Sequence, residues 1–167
     1  MNRRTVIQML CSLAIVPIRA TAATEPGAAA GTREAIVPLE LSDAQWKQRL
    51  APASYQVLRH EATEPPFSSP LNGEKRKGSF HCAGCDLALF ESGSKFDSGT
   101  GWPSFFQTIP GAVATKTDFK LVWPRTEYHC ARCGGHQGHL FSDGPAPTRK
   151  RYCNNGVALK FVPETAS

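Results

Sequence analysis

Phe80-His81-Cys82-Ala83-Gly84-Cys85 and Tyr128-His129-Cys130-Ala131-Arg132-Cys133 are two versions of one motif: an aromatic residue, a histidine, then two cysteines two residues apart. The first runs on to Leu89-Phe90 and the second to Leu140-Phe141, so the pair reads as a weak internal repeat of two equivalent knuckles. A C-x-x-C turn sets two thiolates along one edge of a tetrahedron. A second turn supplies the other edge and satisfies a zinc ion with four soft ligands and no open position. Cys82, Cys85, Cys130 and Cys133 meet that demand. The 44 residues between the pairs exceed the spacing of compact zinc ribbons, so the ion would clamp distant strands and its role would be structural. Two disulfides, redox-active C-x-x-C pairs or unligated core thiols are the competing readings, but two matched knuckles are hard to obtain without a metal to share.

Around the knuckles the texture is that of an antiparallel β domain. From Gly78 onward, short apolar or aromatic runs (Leu87 to Phe90, Phe119 to Trp123, Leu140-Phe141, Val157 to Val162) alternate with Gly, Pro, Ser and Asp turns. Before Gly78 the pattern is helical. Ser42-Asp43-Ala44-Gln45-Trp46 opens a helix with Ser42 as cap and Gln45 at the capping-box position. Leu41, Trp46, Leu50, Tyr55 and Leu58 fit two short helices broken at Ala51-Pro52, the second ending before Glu64-Pro65-Pro66.

The N-terminal segment is of another kind. Residues 1–22 read as an export signal: Asn2-Arg3-Arg4, an apolar run from Val6 to Val16, and Ala20-Thr21-Ala22 as cleavage site. Arg3-Arg4 followed by Val6-Ile7 resembles a twin-arginine signal, with a general secretory signal as the alternative. The apolar run is far shorter than the roughly 20 residues that cross a bilayer, so no stable membrane anchor is expected. From these features the protein is expected to be exported, with the periplasm as its expected location. Residues 23–38 have the composition of a flexible spacer, and the folded domain is expected over 39–167. Removing the three arginines of 1–22 takes the formal charge from +5 to +2. Four thiolates on a divalent ion bring it near zero, which disfavours nucleic acid as a partner because such binding needs clustered cations. Lys75-Arg76-Lys77 reads as a solvated loop.

Cleavage also removes Cys11, and Cys153 is then the one cysteine outside the quartet. It follows Arg149-Lys150-Arg151-Tyr152, and nearby positive charge favours the thiolate, the reactive form. A thiolate nucleophile works beside a proton donor, for which His136 and His139 are the candidates; metal ligation is their alternative use. The glycine-rich turn Asp97-Ser98-Gly99-Thr100-Gly101 presents Trp102 and, after Pro103-Ser104, Phe105.

In this order the motifs LSDAQWKQRL, the two C-x-x-C pairs, KFDSGTGWPSF, RCGGHQGHLFSDGP and RYCNN resemble the B-type methionine sulfoxide reductases, from about Leu41 to Leu159. The resemblance implies a mainly β fold of two antiparallel sheets with short N-terminal helices, and a structural zinc away from the reacting centre. It also implies reduction of the R epimer of methionine sulfoxide in peptides and proteins. Carried over, Cys153 would attack the sulfoxide sulfur, and His139 with His136 would protonate or hydrogen-bond its oxygen. Arg151 and Asn155 would orient the site, and Trp102 with Phe105 would line the pocket for the methyl group. The products would be methionine and a Cys153 sulfenic acid. Many relatives carry a resolving cysteine where this chain has Thr100, so an external thiol or thioredoxin-like partner is expected to reduce the sulfenic acid. Asn154 replaces the usual apolar residue after the nucleophile, and Gly156 stands where serine is common. A zinc-clamped binding module without catalysis is the competing class, which would leave Cys153 without a purpose.

Overall fold

The structure is a computed structural model that describes residues 35–119 and 123–165. The expected signal over 1–22 and most of the spacer over 23–38 lie outside the described residues.

Among the described residues two helices come first, as expected. α1 (Asp43–Arg49) is opened by a complete capping box: the Gln45 amide donates to Ser42 Oγ and the Ser42 amide donates to Gln45 Oε1. Leu50 leaves the helical region, and Pro52 restarts it at the first position of α2 (Pro52–His60), where its missing N–H costs nothing. α2 stops at Glu61, which is left-handed with φ 56°. Trp46, Tyr55, Val57 and Leu58 are the buried residues of the pair.

Nine strands follow among the described residues: β1 (Gly78–Cys82), β2 (Ala88–Glu91), β3 (Lys95–Phe96), β4 (Ser104–Phe105), β5 (Val113–Asp118), β6 (Arg125–Cys130), β7 (His136–Phe141), β8 (Arg151–Asn154) and β9 (Leu159–Pro163). They form a three-stranded sheet ordered β2-β1-β9 and a six-stranded sheet ordered β3-β4-β8-β7-β6-β5, with every pairing antiparallel. The mainly β class with two antiparallel sheets and short N-terminal helices is therefore the observed one. Aromatic rings from both sheets meet in the core: Phe90 of one stacks on Phe105 of the other at 4.0 Å, and Phe80 meets the same ring edge-on at 4.9 Å.

The internal repeat is structural as well as sequential. Each knuckle is the turn of a hairpin, β1–β2 or β6–β7, and each hairpin has an irregular register just before its first cysteine, at Phe80/His81 and Tyr128/His129. In both, the residue four beyond that cysteine is left-handed (Asp86 φ 66°, Gly134 φ 66°) and its amide returns to the cysteine carbonyl at 2.9 Å.

One expected strand is not where it was placed. At the two described ends of the run Phe119 to Trp123 there is no strand: β5 ends at Asp118, β6 begins at Arg125, and Phe119 and Trp123 are 76% and 80% exposed. Residues 120–122 lie outside the described residues. β5 itself, Val-Ala-Thr-Lys-Thr-Asp, is an edge strand with four consecutive exposed positions, and so lacks the apolar texture that marks a buried strand.

Candidate active site and metal centre

The four knuckle cysteines converge. Their sulfurs all lie within 4.8 Å of one another, with Cys82 and Cys133 at 3.7 Å and Cys85 and Cys130 at 3.4 Å. A Zn–S bond of about 2.3 Å sets tetrahedral sulfurs about 3.8 Å apart, so the quartet fits a closed, four-coordinate structural zinc. The surroundings suit the excess negative charge of four thiolates. Arg49 Nε donates to the Gly84 carbonyl at 2.8 Å, Arg59 to the Cys133 carbonyl at 3.0 Å, and Arg132 to the Cys85 carbonyl at 3.3 Å. α2 seals the cluster through Leu58, which packs so closely that a Cβ on Gly135 would sit 2.9 Å from its Cδ2. The centre ties β1–β2 of one sheet to β6–β7 of the other.

Cys153 lies elsewhere, in the middle of the six-stranded sheet. On β8 it is paired with Ser104 of β4 on one side and with His139 of β7 on the other. It opens into a pocket of about 120 Å³ lined by Thr63, Trp102, Arg125, His139, Phe141, Cys153 and Asn155. That volume is a few water molecules' worth, room for the end of a side chain rather than for a whole residue. Trp102 is held by its Nε1–H donating to the Glu64 carbonyl at 3.1 Å. Asn155 is fixed from both ends: its Oδ1 accepts from the Glu64 amide at 3.0 Å and its Nδ2 donates to the Gln137 carbonyl at 3.0 Å. Glu64 also caps the turn after Asn155, its carboxylate accepting from the Gly156 amide at 2.5 Å and the Val157 amide at 3.0 Å. Gly156 lets Ser69 pack against this turn, since a Cβ there would lie 1.9 Å from Ser69 Oγ and the serine would have to shift.

His139 belongs to a charged group that sequence proximity does not reveal. Its Nε2 is 2.8 Å from Asp118 Oδ2, and Arg125 donates to the same oxygen at 2.7 Å. Asp118 is an obligate acceptor when ionised, so His139 carries its hydrogen on Nε2 and Nδ1 is the position at which a proton comes and goes. Burial, assisted by the Arg125 charge, holds His139 below its ordinary pKa despite Asp118. This favours the neutral imidazole over the imidazolium.

Three expectations are corrected. The basic run before Cys153 does not leave it a thiolate at rest: burial is the largest influence and pushes the thiol above its ordinary value, against the pull of Arg151 and Thr100. Arg149 and Lys150 are exposed, and only Arg151, bound through two 2.8 Å bonds to Asp143 and lying over the Phe141 ring at 4.2 Å, bears on the sulfur. Phe105 is no part of the pocket; it has no exposed surface and stacks in the core, because it is the inward neighbour of Ser104 on β4. His136 does not line the pocket either. It is 2% exposed, its Nδ1 lies 2.9 Å from Glu127 Oε1, and its ring stands 5.5 Å behind that of His139.

Among known proteins, the SelR domain model matches residues 50–163. A protein of Agrobacterium fabrum named peptide methionine sulfoxide reductase MsrB is 50% identical over 123 residues, covering 73% of this chain and 91% of that protein. One of the same name from Methanosarcina barkeri is 50% identical over 127 residues, covering 75% and 89%. The Arabidopsis thaliana protein named peptide methionine sulfoxide reductase B1, chloroplastic, is 49% identical over 122 residues, covering 72% of this chain and 60% of that protein.

Proposed function

The chain belongs to the SelR-domain family and is a peptide methionine sulfoxide reductase, an oxidoreductase acting on sulfur, and from that premise we propose how its own residues carry the reaction. Cys153 is the nucleophile. The sulfoxide end of an oxidised methionine enters the pocket with its methyl group against Trp102 and its oxygen toward His139. The Cys153 sulfur attacks the sulfoxide sulfur while a proton passes to the oxygen, making it a leaving group. The oxygen ends on Cys153, so that one thiol and one sulfoxide become one sulfenic acid and one thioether.

The observation that carries this reading is the direct opposition of Cys153 and His139 on neighbouring strands, in a pocket walled by Trp102 and Asn155. His139, neutral and locked to Asp118, receives the proton that Cys153 gives up on attack and returns it to the oxygen. Arg151 offsets part of the cost of charge on the buried sulfur. His136 acts through His139, as its buried backing.

Recycling is external. The first thiol condenses with the sulfenic acid to a mixed disulfide and water, and a second thiol releases Cys153 and leaves as disulfide, the donor being a small thiol or a thioredoxin-like protein. The open cleft of about 570 Å³ that shares Trp102 with the pocket, lined also by Phe67, Asn72, Lys95 and Asp97, gives the polypeptide around the sulfoxide a place to lie. The R epimer is the substrate, and residues 1–22 direct the protein to the periplasm. No helix among the described residues is long and apolar enough to cross a membrane.

The decisive measurement is turnover of dabsylated methionine R- and S-sulfoxide with dithiothreitol, for the wild type and Cys153→Ser. Turnover of the R epimer by the wild type alone is expected. Equal rates in both proteins remove Cys153 from the chemistry.

A further inference from the structure

Beside Cys153 runs a line of buried amides that the redox chemistry does not use. Gln137 on β7 and Asn154 on β8 have no exposed surface. Burying a carboxamide is costly unless its donors and acceptors are met, and here they are met in series. Gln137 Nε2 donates to Cys82 Sγ at 3.3 Å, and Gln137 Oε1 accepts from Asn154 Nδ2 at 3.4 Å. Asn154 Nδ2 also donates to the Asn155 carbonyl at 2.8 Å, while Asn154 Oδ1 accepts from the Tyr128 hydroxyl at 2.7 Å. Tyr128, Gly138 and Asn154 stand on one rung of the sheet, and the bare glycine between them lets the tyrosine reach across.

The line has a direction. A metal-bound thiolate only accepts hydrogen bonds, so Cys82 dictates that Gln137 present its NH₂ group there and its oxygen to Asn154. Asn154 must then donate to Gln137, which leaves its own oxygen for Tyr128. A thiol at Cys82 can itself donate, and the constraint on every later member is lost. Asn154 directly follows Cys153, and its backbone N–H is held by the Pro103 carbonyl at 2.9 Å, next to Trp102. A change in its side-chain partners therefore reaches both the nucleophile and a wall of the pocket.

We propose that Gln137 and Asn154 are positioning residues that couple the metal centre to Cys153: the ion sets the amide chain, and the amide chain sets β8 at the nucleophile. The functional meaning rests on the reading of Cys153 given above. The coupling itself is reciprocal, so altering Asn154 must also alter how firmly the ion is held.

The test uses the zinc-loaded full chain and two readouts that need no turnover: the rate of zinc release to 4-(2-pyridylazo)resorcinol, and the pH midpoint of Cys153 alkylation by iodoacetamide. Gln137→Leu is expected to release zinc about tenfold faster, the order of effect of removing a hydrogen bond to a metal ligand. Asn154→Leu accelerates release as well, although its side chain bonds to no cysteine, and Tyr128→Phe does so least. The double variant releases zinc no faster than Gln137→Leu alone. Both single leucine variants move the alkylation midpoint. Wild-type release from Asn154→Leu, an unmoved midpoint, or a double variant whose acceleration is the product of the two overturns the proposal. If the leucine variants fail to fold, Asn154→Ser and Tyr128→Phe make the same comparison, and unaltered release in both overturns it. Turnover of Cys153→Ser separately judges the nucleophile, so the two readings fail by different results.

Discussion

Thr100 Oγ1 stands 4.0 Å from Cys153 Sγ, with Ser98 Oγ 2.8 Å behind the threonine hydroxyl. The position where many relatives carry a resolving cysteine is thus next to the nucleophile here, but holds a hydroxyl that cannot form a disulfide. Thr100→Cys should supply the missing step. After one equivalent of sulfoxide without reductant, the variant should show an internal disulfide by intact mass, with zinc retained. The wild type should instead yield a dimedone adduct at Cys153. A variant that also gives only the adduct would show that the two side chains do not meet in the oxidised state, since a disulfide requires sulfurs about 2 Å apart.

The burial of Cys153 gives its reactivity a pH signature. Its thiol is held above the ordinary value, so it stays protonated further into the alkaline range, and alkylation should rise through a midpoint above the roughly 8.5 of a free cysteine. Arg151→Met removes the charge that favours the thiolate and should push the midpoint higher, leaving about tenfold less thiolate at pH 7 for every pH unit by which the midpoint rises. Asp143→Asn removes a carboxylate that opposes the thiolate and should move the midpoint down. Movement in the reverse senses would mean that Arg151 does not act on the sulfur by its charge.

Phe105 separates core from pocket. Its ring is stacked on Phe90 at 4.0 Å and fully buried, so Phe105→Ala should cost about 3–5 kcal/mol of stability by denaturant titration. KM for the sulfoxide should be unchanged under conditions where the variant is folded. A raised KM with little loss of stability would return Phe105 to the substrate site.

Gly138 of β7 lies opposite Asn154 of β8, hard against the strand that carries Cys153. A Cβ there would lie 1.9 Å from the Cys153 carbonyl oxygen, a backbone atom that moves only with the strand. Gly138→Ala should therefore destabilise by about 3 kcal/mol and abolish most turnover, because the strand that must yield carries the nucleophile. Wild-type melting would show that the two strands have room to part.

Cys130→Ser tests the metal centre. Removing one ligand should lower the zinc content and the melting temperature together, because binding of a structural ion is coupled to folding. Zinc lost with unchanged melting would deny the ion its structural role.

Much of this arrangement is legible in the chain because it is written locally. The capping box needs only Ser42 and Gln45, the restart of the helix only Pro52, and each knuckle only a six-residue stretch. Bringing the four cysteines together needs one further assumption, a shared ion. Other features are written in register instead. Asp118 and Arg125 flank His139 because they are opposed across the β5–β6 hairpin, and nothing in Lys-Thr-Asp or Pro-Arg-Thr announces that pairing. Phe105 has the look of a pocket residue because it follows a conspicuous turn; strand alternation after Ser104 turns it inward. The charge state of Cys153 escapes the sequence for a similar reason, since its basic neighbours are visible there while the burial that outweighs them depends on strands far along the chain.

The clamp between the two sheets has a bearing on the milieu in which the protein works. Its catalytic cycle consumes reducing equivalents, and a disulfide holding the same two hairpins would be a competing target for them. Thiolates gathered on a zinc ion, which takes no part in electron transfer, would leave such a reductant no S–S bond to cleave within the clamp.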